Sequence, residues 1–359
     1  MERFQNFNSG RVIAFLLAVI AIIVFFAALK VTSSVVLPFT VSLLLAIVTM
    51  PLVNFLSKFH IPRIVSVLLV FLLFVACLFF MWMILYSSGR AIIALYPKYE
   101  ARLTEIYIQA GRLFELPYDE HLSFVENLWG QLGIRTRARN LTIAFSNSFL
   151  SFLASAFMVA IFMTFLLLEA AFFREKLDMA FKGTRVVQIK TIISDIMVQV
   201  AHYLSIKFFI AVINGILIGF CLKTIGLEFA MIWGVFQFIA NFIPSIGSIA
   251  VGLAATVFSI IQFWPDPAPM AAVGLIMLVI NIIFGFILEP KIMGDRLGLS
   301  PLVVLISLLV WGWIWGFVGL ILAVPMMAII KIICKNIPVL EPISILLGSH
   351  KASLLGRKD

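Results

Sequence analysis

The feature that most restricts how this chain can fold is an apolar stretch, Gly226 to Ile261, that is interrupted at its centre. The interruption, residues 241–247 with the sequence NFIPSIG, places an amide, a proline and a glycine in apolar surroundings. In hydrocarbon a helix can break only where protein or a water-filled cavity satisfies the freed backbone groups. The two halves, residues 229–243 and 247–262, would be about 22 to 24 Å long, short of the ~30 Å hydrocarbon core. The stretch therefore predicts a re-entrant hairpin whose tip lies within the membrane.

The composition assigns the rest of the chain to the same environment. Of the 359 residues, 63% are hydrophobic and 12% are charged, and the mean hydropathy is +1.15. These values are typical of a polytopic membrane protein, so the lipid bilayer is a predicted partner. The formal net charge is +9, but the basic residues lie between apolar runs, as topology-setting loop charges do, and nucleic acid is not a predicted partner. The cysteines and histidines show no metal-binding spacing, so no metal or cofactor is expected.

A second apolar run, Leu302 to Ile333, is also interrupted. Gly312, Gly316 and Gly319 lie among tryptophans in this run, and Pro325 follows them. Glycines allow backbones to approach closely inside a membrane. The run therefore predicts a second hairpin, and its small-residue face allows close helix approach.

The two interrupted runs are related by an internal repeat. A shift of 72 residues superposes Gly226 on Gly298 and Gly247 on Gly319. The apolar spans that precede the hairpins match at an offset of 67. If each hairpin returns to the side from which it enters, the two copies have opposite orientations, and the sequence predicts an inverted repeat.

Apolar runs and the polar segments between them divide the whole chain. Together they predict an all-α polytopic membrane protein with about eight membrane segments, two of them broken or re-entrant hairpins, and a small helical extramembrane domain. The predicted segments are residues 1–86 with membrane helices 1 to 3, the extracytoplasmic helical domain 87–146, membrane helix 4 at 147–169, a cytoplasmic basic amphipathic segment at 170–207, a two-hairpin core at 208–333 and a cytoplasmic tail at 334–359.

Positive charges give this topology a direction. With both termini cytoplasmic, most of the 26 Lys and Arg residues fall on the cytoplasmic side, which the positive-inside rule favours. The cluster of Arg135, Arg137 and Arg139, close to the fourth span, opposes this assignment. We interpret the cluster as a solvated or headgroup-facing patch.

Three motifs together resemble the AI-2E (autoinducer-2 exporter) family of bacterial membrane transporters. They are NFIPSIG at 241–247, LEPKIMG at 288–294, and GLSP at 298–301 leading into GFVGLILAVP at 316–325. The resemblance covers nearly the whole chain. It implies an oligomeric, multi-pass protein of the bacterial cytoplasmic (inner) membrane that exports a small solute. Because family members have been linked both to autoinducer-2 export and to sodium/proton antiport, the resemblance leaves the substrate open.

The repeat points to transport on physical grounds as well. Secondary transporters commonly build solute sites from broken helices in inverted repeats, because helix N-termini present partial positive charge and unwound carbonyls present partial negative charge. Together with the family resemblance, which implies export and an autoinducer-2-like solute, this predicts a secondary transporter, an exporter of a small polar solute, acting by alternating access at the hairpin tips. The alternatives are a sodium/proton antiporter and a channel-like pore.

Amides, small residues and charges supply the candidate site residues. The predicted solute ligands are Asn241, Gln237, Ser245, Asn214 and Asn281. Interhelical packing is the alternative for each amide. The predicted hairpin-tip architecture is Pro244, Gly247, Gly312, Gly316, Gly319 and Pro325. Glu289, Lys291 and Asp295 form either an ion-pair cluster at the membrane edge or a gate or coupling site for Na⁺ or H⁺.

An enzyme is not predicted. The four histidines are scattered, and the sequence contains neither H-E-x-x-H nor G-x-S-x-G. It also lacks a Gly-rich phosphate loop, which argues against an ATP-driven pump. Glu169 and Glu228 lie at segment ends rather than mid-span, so the sequence leaves the energy coupling open.

Overall fold

The chain is almost entirely helical in a computed structural model, which describes residues 9–114, 134–170, 172–180, 184–244, 246–293 and 297–349. In apolar surroundings a helix satisfies its backbone hydrogen bonds internally, which explains why long apolar runs adopt it. Within these ranges the only bridge between extended residues is the isolated pair Leu299 and Gly348. The all-α class predicted from the sequence is therefore confirmed.

The described helices are numbered in chain order. They are α1 (Ser9–Val31), α2 (Ser33–Lys58), α3 (Arg63–Phe114), α4 (Ile134–Glu169), α5 (Phe173–Ala180), α6 (Thr184–Ile225), α7 (Ala230–Ala240), α8 (Ile246–Phe263), α9 (Pro267–Ile282), a π-helical segment (Ile283–Leu288), α10 (Glu289–Met293), α11 (Pro301–Asn336), a 3₁₀ turn (Pro338–Leu340) and α12 (Glu341–Leu347). We call α7 with α8 hairpin 1, and α11 hairpin 2.

Many of these helices are suited to a bilayer. Among the described residues, six segments are long and apolar enough to cross a membrane: Ser33–Lys58, Arg63–Ile84, Val187–Ile225, Ile246–Phe263, Pro267–Ile292 and Pro301–Asn336. Shorter apolar helices, including Ala230–Ala240, add to them. In each of the six segments, at most 44% of the most apolar 18 consecutive residues are buried inside the protein. The remaining apolar side chains are therefore available to face lipid. The protein is a multi-pass membrane protein.

Four helices run through boundaries that the sequence analysis predicted: α3 at 86/87, α4 at 146/147, α6 at 207/208 and α11 at 333/334. α3 is continuous over 52 residues and crosses the expected boundary between residues 86 and 87. α6 is continuous over 42 residues and joins the expected surface segment to the span that starts at residue 208. α6 contains no proline, and helix elongation is favourable once a helix has begun. The membrane side of each segment stays a prediction, and residues 115–133 lie outside the described residues.

The described residues form two compact units. One unit comprises the described parts of Met1–Pro51, Ala156–Ala201 and Leu297–Asp359, and it contains hairpin 2. The other comprises those of Leu52–Ser155 and His202–Arg296, and it contains hairpin 1.

The core of the unit with hairpin 1 is a cluster of buried apolar side chains. Those that expose 2% of their surface or less are Ile218, Leu222, Ala255, Val273 and Met277. Their burial in one cluster packs α6 and α9 against hairpin 1. This packing holds the hairpin in the position described next.

Candidate functional site

Hairpin 1 folds back on itself just after α7. A Cβ atom built on Gly247 would lie 1.9 Å from the carbonyl oxygen of Ala240, so only glycine permits this contact between the limbs. Further from the tip, the rings of Trp233 and Phe258 pack with their centroids 5.7 Å apart. The two limbs therefore run antiparallel, as the sequence predicted.

The described backbone N–H groups at the tip of hairpin 1 find acceptors within the protein. The N–H of Ile243 donates to the carbonyl of Ala240 at 3.0 Å, and the N–H of Gly247 donates to the carbonyl of Ile243 at 3.3 Å. Pro244 lies in this turn and has no N–H to satisfy. Such a turn meets the requirement for irregular backbone at membrane depth. Ser245, a predicted ligand, lies outside the described residues.

Hairpin 2 makes its fold-back within the range of α11. The backbone leaves the helical conformation at Trp315 (φ −121°, ψ 15°) and at Gly316 (φ 60°, ψ −138°). The second of these conformations is accessible to glycine and strained for other residues. The predicted interruption at Gly316 is therefore present in the structure.

The limbs of hairpin 2 meet in the same way as those of hairpin 1. A Cβ atom built on Gly319 would lie 1.9 Å from the carbonyl oxygen of Trp311. The Oγ–H of Ser307 donates to the carbonyl of Ala323 at 2.7 Å. Because the contacts at 311–319 and 307–323 are nested, the limbs run antiparallel.

The other residues predicted to build this tip also pack inside hairpin 2. A Cβ atom on Gly312 would lie 2.8 Å from the side chain of Leu320, and Pro325 is buried in the second limb. Gly312 and Gly319 are thus occupied by contacts within their own hairpin. The oligomer stays a prediction that rests on the family resemblance.

The bases of the two hairpins are closed by matching contacts. Gly226 and Gly298 both have positive φ, 86° and 52°. The carbonyl of Gly226 accepts a hydrogen bond from Gln262 Nε2 at 2.9 Å, and that of Gly298 accepts one from Lys331 Nζ at 2.6 Å. Each donor lies near the end of the second limb of its own hairpin. These contacts support the internal repeat, whereas its inversion stays a prediction.

Three of the predicted amides in hairpin 1 and α6 are buried with an unused acceptor. Gln237 is 0% exposed, Asn214 1% and Asn241 5%. Their side-chain carbonyl oxygens have no hydrogen-bond partner among the residues that the structure describes. Leaving a buried acceptor unsatisfied costs about 1 to 3 kcal/mol, so native proteins pair such groups with water, a ligand or an ion. This region is therefore suited to receive hydrogen-bond donors from outside the chain.

Asn281 on α9 connects both limbs of hairpin 1. Gln237 Nε2 donates to Asn281 Oδ1 at 2.7 Å, and Asn281 Nδ2 donates to the carbonyl of Ser248 at 3.2 Å. The structure thus brings two predicted ligands, Gln237 and Asn281, into direct contact. In this arrangement both polar ends of Asn281 are used to hold the hairpin against α9.

Asn214 lies where α6 packs closely against hairpin 1. A Cβ atom on the adjacent Gly215 would lie 2.7 Å from the carbonyl oxygen of Gly234. Nearer the tip, the rings of Phe208 and Phe238 pack with centroids 5.9 Å apart. α6 therefore runs antiparallel to α7 and reaches the tip with its residues around 208 to 214.

Comparison with known proteins assigns this chain to a family. The model of the AI-2E family transporters matches residues 14–338. The chain belongs to the AI-2E family. A protein of Borreliella burgdorferi that is named as a transport protein is 31% identical to it, over 97% of this chain and 94% of the relative. The AI-2 transport protein TqsA of Escherichia coli is 29% identical, over 95% of this chain and 96% of TqsA.

The family confirms two further predictions. AI-2E relatives are named as transport proteins and not as enzymes, so this chain is a membrane transporter. A relative in Haemophilus influenzae is also named as a transport protein. It is 29% identical over 96% of this chain and 98% of its own length. The family resemblance inferred from the three sequence motifs is thereby confirmed.

The AI-2E transporter contains a buried ion pair that the sequence analysis missed. Lys207 on α6 lies with its Nζ 2.5 Å from Oε1 of Glu289, and Lys207 is 1% exposed. The sequence analysis assigned Lys207 to the end of a cytoplasmic segment. The sequence did carry a signal of this burial, because Lys207 lies between Leu-Ser-Ile and Phe-Phe-Ile. A single charge within such an apolar run is rarely a loop residue. Of the other predicted gate residues, Lys291 is exposed and Asp295 lies outside the described residues.

A second polar cluster, also missed, lies at the base of hairpin 1. Lys98 and Tyr99, on the part of α3 beyond its apolar span, both donate hydrogen bonds to the Glu228 carboxylate. Burial raises the pKa of Glu228, but the hydrogen bonds from Lys98 and Tyr99 outweigh it and hold this pKa below its usual value. Burial and the bond to Glu228 raise the pKa of Tyr99. The Glu228 N–H donates to Gln262 Oε1 at 2.8 Å, which joins the cluster to the contact that closes the hairpin.

Proposed function

We propose that this AI-2E transporter exports a small polar solute rich in hydrogen-bond donors, and that the solute binds beside the tip of hairpin 1. The observation that carries the proposal is the set of buried, unpaired side-chain oxygens of Gln237, Asn241 and Asn214. Hydroxyl groups of a solute would supply the missing donors, each bond contributing about 1 kcal/mol. Since TqsA is named for AI-2 transport, AI-2 is the first solute to test.

The length of hairpin 1 supports binding at membrane depth. Its first limb, α7, has 11 residues, which corresponds to about 16 Å at 1.5 Å per residue, roughly half of the hydrocarbon core. The second limb begins at Ile246, so its N-terminal N–H groups point into the tip region with partial positive charge. Alternating access would open this region to one side of the membrane at a time.

We further propose a location in the bacterial cytoplasmic membrane, with both termini cytoplasmic, residues 87–146 outside and the chain assembled as a homo-oligomer. The distribution of Lys and Arg supports this orientation. Reporter fusions at Arg112 and after Leu355 test it. Activity that requires export should come from the first fusion, and export-dependent activity from the second would overturn the orientation.

The decisive test uses the full chain in liposomes with AI-2 as the probe. We expect saturable flux and accelerated exchange when unlabelled AI-2 is present on the opposite side, as alternating access requires. Flux that rises linearly without such exchange would indicate the channel-like pore. Sodium gradients that move protons without any AI-2 flux would indicate the sodium/proton antiporter instead.

A further inference from the structure

A buried ion pair lies beside the tip of hairpin 1. Lys207 is paired with Glu289 at 2.5 Å, and the Lys207 side chain exposes 2% of its surface and that of Glu289 25%. The residue after Lys207, Phe208, packs against Phe238 in the limb that carries the unpaired amides. The pair is thus adjacent to the proposed solute site without forming part of it.

A charge pair in this position is poorly explained by stability alone. Burying an ion pair costs about as much desolvation energy as the attraction returns, and an apolar pair of similar volume is often equally stable. Ionisable residues within membrane segments are rare and usually mark an ion or proton pathway. A quarter of the Glu289 side chain is exposed, so the pair is not sealed inside the protein.

A short path of structure connects Glu289 to the hairpin. The π-helical segment Ile283–Leu288 immediately precedes Glu289, and Asn281 lies just before that segment. Asn281 in turn is hydrogen-bonded to Gln237 and Ser248, one residue in each limb of hairpin 1. π-helical turns occur frequently at functional sites. A change at Glu289 therefore has a direct mechanical connection to both limbs.

We propose that the Lys207–Glu289 pair is the proton-coupling site of this transporter, an inference that rests on the proposed function. The Glu289 carboxylate takes up one proton from water on one side, which makes it a neutral acid and changes the charge of the pair from zero to +1. Lys207 keeps its own proton throughout. Weakening of the pair allows the π-helical segment to move, and this changes the hydrogen bonds of Asn281 to hairpin 1. Loss of the proton to the other side of the membrane restores the pair.

Other charged and titratable groups lie near this pair. Tyr203, one turn before Lys207 on α6, interacts electrostatically with Glu289. Lys291 is two residues after Glu289 on α10 and is exposed. His202, an ionisable residue, lies on α6 as well. Each of these residues is therefore replaced in a control variant.

The first test measures protonation directly. Infrared difference spectra of the full-length protein in lipid, recorded from neutral to acidic pH, should show a protonated-carboxyl band. The double variant Lys207→Met with Glu289→Gln should lack this band, and because it leaves no buried charge unpaired it should remain folded. The controls His202→Gln, Tyr203→Phe and Lys291→Gln should keep the band. A band that persists in the folded double variant would overturn the coupling site.

The second test measures the hairpin. In a background without Cys77, Cys221 and Cys334, the labelling rate of Ile246→Cys by an impermeant thiol reagent is divided by that of Val339→Cys, since both positions are exposed. The ratio should change several-fold with pH in this background and stay constant in the double variant. A ratio that is equally pH-dependent in both overturns the coupling. A cysteine at 246 that is unreactive under all conditions contradicts the solute site instead, while the carboxyl band still decides whether Glu289 binds the proton.

Discussion

Hairpin 1 and hairpin 2 share the same backbone contact between their limbs and differ in the side chains that surround it. In each, a glycine of the second limb lies against a carbonyl of the first, at the same 1.9 Å from the Cβ that glycine lacks. In each, a glycine with positive φ precedes the hairpin, and its carbonyl accepts a hydrogen bond from the second limb. Repeated geometry of this kind is what a duplicated structural unit predicts.

The surroundings of the two tips are not alike. Hairpin 1 carries the amides Gln237 and Asn241, whose side-chain oxygens have no partner among the described residues. Near the tip of hairpin 2, Trp315 Nε1 donates to the carbonyl of Leu29 at 3.3 Å, and the Lys30 ammonium lies 3.6 Å from the centre of the Trp313 ring. Hairpin 2 is thus anchored to α1, whereas hairpin 1 has hydrogen-bonding capacity to spare. In the proposed function, the two hairpins share a scaffold, and the polar residues of hairpin 1 would supply the binding chemistry.

The largest expected effect tests the glycine–carbonyl contact that the two hairpins share. Gly247→Ala and Gly319→Ala each place a methyl group 1.9 Å from a backbone oxygen, so each should destabilise the protein by at least about 3 kcal/mol. Thermal unfolding in mild detergent measures the loss. Gly285→Ala is the matched control, because its Cβ would meet nothing within 4 Å. If one of the two variants is as stable as this control, the hairpins are not equivalent structures.

The next effect separates the hairpins by function. Asn241→Leu keeps the branched shape of the side chain and removes the unpaired oxygen, so folding should be retained while the KM for AI-2 rises about fivefold, equivalent to about 1 kcal/mol. Ser307→Ala in hairpin 2 breaks the bond to Ala323 and should lower stability by about 1 kcal/mol with the KM unchanged. Liposome flux and thermal unfolding of both variants give the comparison. A KM that moves in Ser307→Ala and not in Asn241→Leu would reverse the assignment of the solute site.

Local signals in the sequence predicted the hairpins well. The limbs of hairpin 1, expected at 229–243 and 247–262, are Ala230–Ala240 and Ile246–Phe263, since proline and glycine act on the backbone where they stand. The two missed clusters depend on contacts between distant residues. Glu289 pairs with Lys207 across 82 positions, and Glu228 with Lys98 across 130. Only the packing of the helices determines which charges meet, and a single sequence carries no direct signal of it.

A smaller effect concerns the anchor of hairpin 2. Trp313→Leu removes the cation–π contact with Lys30, which at an exposed site contributes about 0.5 to 1 kcal/mol. Thermal unfolding should show a loss of this size, and AI-2 flux at saturating concentration should be unchanged. Phe317→Leu is the matched control, an exposed aromatic residue in the same hairpin. An equal loss in both variants would show that the ring contributes through its area and not through Lys30.

The smallest effect is a pH dependence confined to the base of hairpin 1. The folded-state pKa of Glu228 lies below its ordinary value of 4.5 because the hydrogen bonds from Lys98 and Tyr99 outweigh burial. The carboxylate therefore contributes stability above that ordinary value, and the contribution is lost as the pH falls through the folded-state pKa. The raised pKa of Tyr99 keeps its hydroxyl protonated, and its hydrogen bond intact, on the alkaline side.

Glu228→Gln should thus be less stable than the unmodified protein at neutral pH by up to about 1 kcal/mol, and the difference should vanish in acid. Lys331→Gln, at the corresponding base of hairpin 2, removes a cation and should show no such convergence in acid. Thermal unfolding of all three proteins between neutral and acidic pH makes the comparison, and a difference for Glu228→Gln that persists or grows in acid would contradict it.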